Sequence, residues 1–532
     1  MMVTSSSSDD DFKNDNEDAT TNNNIITKDK IVGSILGIFI GDALGVGVHW
    51  QYDLDKLKKD RGYVTEYLDP LPDTYHSGTP NSPGGLNSGK LHAGQLDLLG
   101  TIDKLLLESL VDNIQKKNHH GGEYYNQTDF YERIEKHIFI DDPTFDGTRQ
   151  GSKYGWTDKS VCDLYKCRME QGKPWDECSI PRSDTPDIII QSAILGALYY
   201  ETPYEMSVKV QRHTKSWTLD SSVQSHSVAF ASLVATTILG VVPLNEQVRD
   251  FLYMQTSAGT LPFSSIVAGQ EYDSDPIYGT YSEPDSLLWF GSIAHAVKEF
   301  HNQTIQPPHH GVLLYGQFCA FFASLPSAYY CIARFPNNFE KAVLCSVNGG
   351  GQNTLRTSLV GAVVGANVGI SNIPQRYISG LEDSDRIVEM ANQVATIAVS
   401  RREAKSTDPD DVWYWPVKDD EGQQHGANMF DNSSNGSIDD PSVASDSEEG
   451  GDGCGVSIGG SLHSSILGNG GAGRGGSGRG SNHLELTRSW TSSFAVVITA
   501  AMLLVIATAV TTKVWRRAVG CQQKRYEQYE SI

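Results

Sequence analysis

Apolar residues return every three to four positions in ten stretches: 30–45, 99–115, 187–200, 205–214, 220–240, 285–301, 311–331, 338–348, 355–369 and 386–400. That spacing puts the apolar side chains of each stretch on one helical face. Strand-like alternation is scarce. The pattern predicts a single all-α domain from about 28 to 405. The segment 116–186 is polar and aromatic, and predicts a loop-rich excursion with one or two short helices. Residues 1–27 are polar and acidic, and read as a disordered arm.

The pattern changes after the domain. Residues 406–490 are acid-rich and then Gly/Ser-rich, the composition of a flexible tether. Phe494 to Thr512 carry no charge, which is enough to cross a bilayer once as a helix. A basic tail, 513–532, follows. This predicts a membrane protein held by one C-terminal transmembrane helix. The basic tail favours a cytoplasmic C-terminus, whereas the missing export signal and scattered cysteines favour a cytosolic globular domain. The second reading is adopted.

Two helical stretches carry glycine at every fourth position. Gly33, Gly37, Gly41 and Gly45 form one stripe, and Gly361, Gly365 and Gly369 form another. Glycine costs a helix interior roughly 1 kcal/mol relative to alanine. The stripes therefore predict two helices crossing with their backbones in close approach. Asp42 and His49 lie seven residues apart, so on a continuing helix they would share a face and look toward the glycines at 349–351.

Composition narrows the function. The 532 residues carry a formal net charge of −23, which argues against a nucleic-acid partner. Eight cysteines occur without a CxxC pair, a pattern of reduced thiols rather than of disulfides or zinc ligation.

The stretches "GSILGIFIGDALGVGVHW" and "SVNGGGQNTLRTSLVGAVVGANVGISNIPQRYISGL" resemble the opening and closing motifs of the ADP-ribosylglycohydrolase family. Ser346, Val347, Asn348, Gly350, Gly351, Gly361, Ala362, Gly365, Ala366, Gly369, Ile373, Pro374 and Leu381 fall in register with the second. The resemblance implies a compact all-α fold around a cleft. It also implies hydrolysis of the glycosidic bond between ADP-ribose and an acceptor, with two Mg²⁺ held by carboxylates and threonines. An ADP-ribose-like small molecule or an ADP-ribosylated protein would be the partner.

The metal ligands depart from that pattern. Gln352 and Thr354 stand where the family carries Asp, Leu355 where it carries Thr, and His49 where an acidic residue often lies. In "GQLDLLGTIDKLLLESL" neither Asp97 nor Asp103 restores the family's adjacent acid pair. An amide oxygen matches a hard divalent ion poorly. No cofactor is therefore expected, unless other ligands rebuild a Mg²⁺ site. With His49 and Trp50, and with Asn353 and Arg356, the chain resembles a side branch that includes the J-type crystallins.

Two functions stay open. In one, Asp42, His49 and Asp103 carry out hydrolysis in altered roles, with Asn348, Gly350, Gly351, Gln352, Asn353 and Arg356 binding a phosphate or carboxylate. In the other, the protein is a non-catalytic ADP-ribose or nucleotide binder or a scaffold; Asn353 then caps a helix and Arg356 pairs with a buried acid such as Asp42. His213 reads as a surface or hydrogen-bonding histidine, the adjacent Asp141 and Asp142 as a solvated turn, Asp158 as an exposed residue or cap, and Ser183 to Asp187 as a helix cap.

Overall fold

The computed structural model describes residues 9–79, 90–120, 123–150, 152–183, 185–262, 284–288 and 305–405. The helices in the first half are α1 (Asp9–Val46), α2 (Leu54–Arg61), α3 (Leu98–His120), α4 (Gln127–Ile134), α5 (Lys159–Tyr165), α6 (Asp187–Leu198), α7 (Pro203–Trp217), α8 (Ser221–Ile238) and α9 (Glu246–Ser257). The second half adds α10 (Val312–Tyr315), α11 (Phe321–Arg334), α12 (Phe339–Val347), α13 (Asn353–Val368), α14 (Gln375–Gly380) and α15 (Ser384–Lys405). Among the described residues there is no strand, only isolated bridges at Gln51–Gly351 and Ile180–Thr218. The fold is all-α, as the periodicity predicts.

The α1–α13 pair forms the most extensive helix contact. A Cβ on Gly37 would lie 2.1 Å from Gly361 O, one on Gly33 2.5 Å from Gly365 O, and one on Gly45 2.5 Å from Thr354 N. The partner number falls as the α1 number rises, so the helices run antiparallel with their glycine stripes facing. No side chain fits between the backbones. This crossing brings the end of α1 against the start of α13, and so fixes the site. Around it, α6, α8, α12 and α15 complete one apolar core.

The structure differs from the sequence reading in several places. Helix α1 starts at Asp9, ahead of the apolar pattern. The stretch 311–331 is broken at Gly316, whose φ of 103° no continuing helix allows. Of 285–301, only 284–288 is described, and it is a 3₁₀ turn. In the polar excursion α4 and α5 each end in a π turn. There Cys167 and Cys178 are joined by a disulfide, correcting the expectation of reduced thiols. An eleven-residue spacing carries no signature, and the pairing arises because the turn at Trp175–Glu177 brings Cys178 back to the π turn after α5, which carries Cys167. Among the described residues no helix is long and apolar enough to cross a membrane. The run 494–512 and the tether 406–490 lie outside the described residues.

Candidate functional site

Helix α1 ends in a turn whose backbone meets the glycine loop. Trp50 N–H donates to Gly351 O at 2.8 Å and Gly351 N–H donates to Gln51 O at 2.9 Å. Gly350 and Gly351 have φ of 71° and 68°, the left-handed conformation glycine adopts without steric cost. Gln352 N–H donates to Gln317 O at 2.7 Å. The loop amides that sequence reasoning offered to an anion are thus paired with carbonyls.

The side chains of the loop also hold the chain to itself. Asn348 accepts from Val64 N–H at 2.8 Å and donates back to Val64 O at 2.9 Å. Asn353 donates to Val48 O at 2.8 Å, so it does not cap α13 as expected. Arg356 is fully buried, and its Nη2 donates to Ser346 O at 2.8 Å, Gly350 O at 2.6 Å and Asn353 Oδ1 at 2.8 Å. No Arg356–Asp42 ion pair forms among the described contacts. Burial drops the Arg356 guanidinium to about 10, still charged at neutral pH.

His49 leaves the α1 turn toward a second histidine, His76, from the loop 73–79. Trp156 N–H donates to His76 Nδ1 at 3.2 Å, which makes that nitrogen the acceptor. His76 Nε2–H then donates to His49 Nδ1 at 2.6 Å, and His49 Nε2–H donates to Gln352 Oε1 at 2.7 Å. Both rings are neutral and their tautomers follow from the chain of bonds. Burial is the main cause of the lowered His49 value, and with the neighbouring ring it drops His76 to about 3. Trp50, Tyr75 and Trp156 pack edge to face beside them, with centroids 4.2 to 5.5 Å apart.

Acids gather behind this pair. Asp97 caps α3, accepting from Leu99 N–H at 2.8 Å and Gly100 N–H at 3.0 Å. Asp97 N–H donates to Asp42 Oδ2 at 2.9 Å. A Cβ on Gly100 would touch the Asp42 carboxyl, so glycine there makes its room. Burial, then the Asp97 charge, raises Asp42 and Asp103 well above the carboxylate range. Asp158 is raised by burial, then by Asp187 and Asp97, and its side chain makes no cap bond. It is not the exposed residue expected. Asp142 is buried and ties Thr144 and Lys153, where a solvated turn was expected. The cap proposed at Ser183 to Asp187 does not form: α6 starts without a side-chain cap bond, and Asp187 instead accepts from Ser160 Oγ at 2.6 Å. His213 is fully buried between Tyr125 Oη and Gln191 Oε1.

The fold therefore brings Asp42, His49 and Asp103 around Asp97, while Arg356 faces the loop carbonyls. His76, Asp97 and Asp187 were missed as site residues. Asp97 carries a usable signal, an acid just before an apolar helix. His76 lies in "DTYHSG" and carries none.

A dimagnesium centre does not fit these residues. Among the described residues one cluster has metal-ligand spacing, His49, His76 and Asp97, with ligand atoms within 4.8 Å of one another. It offers two nitrogens and one carboxylate, whereas Mg²⁺ takes oxygen ligands, and the nitrogens facing each other already share a proton.

No curated protein matches the chain. Among solved structures it is similar to an "ADP-ribosylglycohydrolase-related protein complex", at 15% identity and a TM-score of 0.44, over 70% of this chain and 99% of that one. The family model for ADP-ribosylglycohydrolase matches residues 23–404. The chain belongs to the ADP-ribosylglycohydrolase family.

Proposed function

We propose that this protein is a non-catalytic member of its family, a scaffold in which the place of the magnesium chemistry has become a sealed hydrogen-bonded core. The bond from His49 to Gln352 carries the reading. It pairs two buried side chains at positions where the family pattern has acids, and neither offers a charged oxygen to a metal. Burial and the neighbouring Asp97 raise Asp42 and Asp103, so each holds its proton to higher pH than an exposed carboxyl. The apolar run 494–512 would hold this scaffold at a membrane.

The gathering of Asp42, Asp103 and His49 around Asp97 favours a second reading, metal-free hydrolysis of an ADP-ribose-type glycoside. A carboxyl held above its ordinary range and an imidazole held below its own, both gathered around Asp97, are groups suited to acid–base work. One experiment separates the readings. The full chain is titrated calorimetrically with ADP-ribose, with and without Mg²⁺, and assayed for release of ADP-ribose from an ADP-ribosylated arginine. The scaffold predicts neither binding nor release. Release in excess chelator would establish the second reading, and Mg²⁺-dependent binding would overturn both.

A further inference from the structure

Outside the histidine and acid cluster, two cysteines face each other. Cys331 lies on α11 and Cys345 on α12, helices joined by the short connection 335–338. Cys331 Sγ–H donates to Cys345 Sγ at 3.2 Å, and both side chains are buried. Two sulfurs at that distance are closer to bonding than any ordinary packing contact requires. A cavity of about 280 Å³ reaches Cys345, lined also by Tyr63, Pro308, Phe335, Asn338 and Leu344. The pair thus has a proximal partner and a route by which a small reagent enters.

We propose that Cys331 and Cys345 are a reversible redox pair, closed to a disulfide by exchange with a low-molecular-mass disulfide that enters at Cys345. The Cys345 thiolate attacks one sulfur of the reagent, forming a mixed disulfide and releasing one small thiolate. Cys331, deprotonated, then attacks Cys345 Sγ, forming the Cys331–Cys345 bond and releasing the second small thiolate. Two cysteine thiols are oxidised, one small disulfide is reduced to two thiols, and the two protons pass to the released thiolates.

The consequence reaches the glycine loop. Helix α12 runs directly into Asn348, and the buried Arg356 lies within electrostatic reach of both sulfurs. Closing the bond fixes α11 to the helix that supports the loop and removes the thiols beside the guanidinium. Burial and the partner sulfur hold the Cys345 thiol well above its ordinary range. Exchange is therefore slow at neutral pH and quickens by roughly tenfold per pH unit below that value.

The test uses the full chain and glutathione disulfide. After incubation, free thiols are alkylated under denaturing conditions and the digest is mapped by mass spectrometry. The expected result is a Cys331–Cys345 peptide pair that forms faster at pH 9 than at pH 7. Dithiothreitol should reopen it while the chain stays folded. Both cysteines recovered alkylated, or Cys345 recovered only as a glutathione adduct, overturns the pairing. A link that opens only after unfolding overturns its reversibility. In Cys345→Ser, Cys331 should lose its reaction with glutathione disulfide; an unchanged rate would show that Cys345 is not the point of entry.

Discussion

His49 Nε2 lies 2.7 Å from Gln352 Oε1, although the residues are 303 positions apart in the chain. The contact ties the turn after α1 to the start of α13 at the centre of the molecule. Without an acceptor at 352 the buried imidazole N–H has no partner. We expect Gln352→Leu to lower stability by about 1–3 kcal/mol. The value should fall toward the low end, because Gln352 Nε2 has no hydrogen bond to lose. The midpoint of urea unfolding at constant m-value measures it. An unchanged midpoint would mean that water reaches the ring.

The glycine stripes make a sharper prediction. A Cβ on Gly361 would lie 2.0 Å from Gly37 O, and one on Gly37 2.1 Å from Gly361 O. Both obstacles are backbone, so no side chain can rotate away and the helices must separate. Gly37→Ala and Gly361→Ala are each expected to cost about 1–3 kcal/mol or more, despite the better helix propensity of alanine. Gly196→Ala is the milder control, since its nearest obstacle is 2.8 Å away. Thermal unfolding of the three variants should rank them in that order.

That crossing was legible in the sequence because a repeat of four glycines has one dominant physical cause. The all-α fold was legible for a similar reason: its helices carry a repeating apolar face. The histidine and acid cluster was legible only in part. Asp42 lies on a helical stretch, where spacing constrains position, but α1 ends at Val46 and does not continue to His49, which lies in the turn after it. His76 and Asp158 arrive from loops, where spacing says nothing about where a side chain ends. For Arg356, residue type suggests an anion, either a ligand or a buried acid such as Asp42. In the folded chain, the guanidinium instead donates to Gly350 O of the left-handed glycine loop and to Ser346 O at the end of α12.

Arg356 should therefore behave as a structural residue. Replacing it by methionine keeps much of its volume but leaves Gly350 O and Asn353 Oδ1 without their buried donor, while Ser346 O keeps the Gly349 N–H. The expected loss is roughly 1–3 kcal/mol, the scale for leaving buried acceptors unsatisfied. Arg356→Lys should recover little, because one ammonium cannot reproduce the planar fork. Denaturant unfolding of both variants checks this. A lysine variant as stable as the parent would mean that charge alone, not fork geometry, holds the loop.

The last prediction concerns the proton on Asp42. Folding raises this carboxyl well above its usual value, through burial first and the Asp97 charge second. In the unfolded chain it releases its proton near the ordinary carboxylate value. Between those two values the folded state binds the extra proton, so this group's stabilising contribution is full at acid pH and is lost as pH rises. The loss is at most about 1.4 kcal/mol per pH unit. The buried histidines act oppositely, since their folded values are lowered, and their contribution is complete once pH exceeds that of an unfolded imidazole. Above neutrality the acids therefore set the slope. Asp42→Asn mimics the protonated acid, with an oxygen to accept from Asp97 N–H and an N–H to meet the Asp97 side chain. It should match the parent most closely at low pH and become progressively more stable than the parent as pH rises above the value of an unfolded carboxyl. Parallel urea curves across that range measure the difference. A gap that stays constant with pH would mean that Asp42 is ionised in the folded protein, and that a cation or donor not seen here compensates its charge.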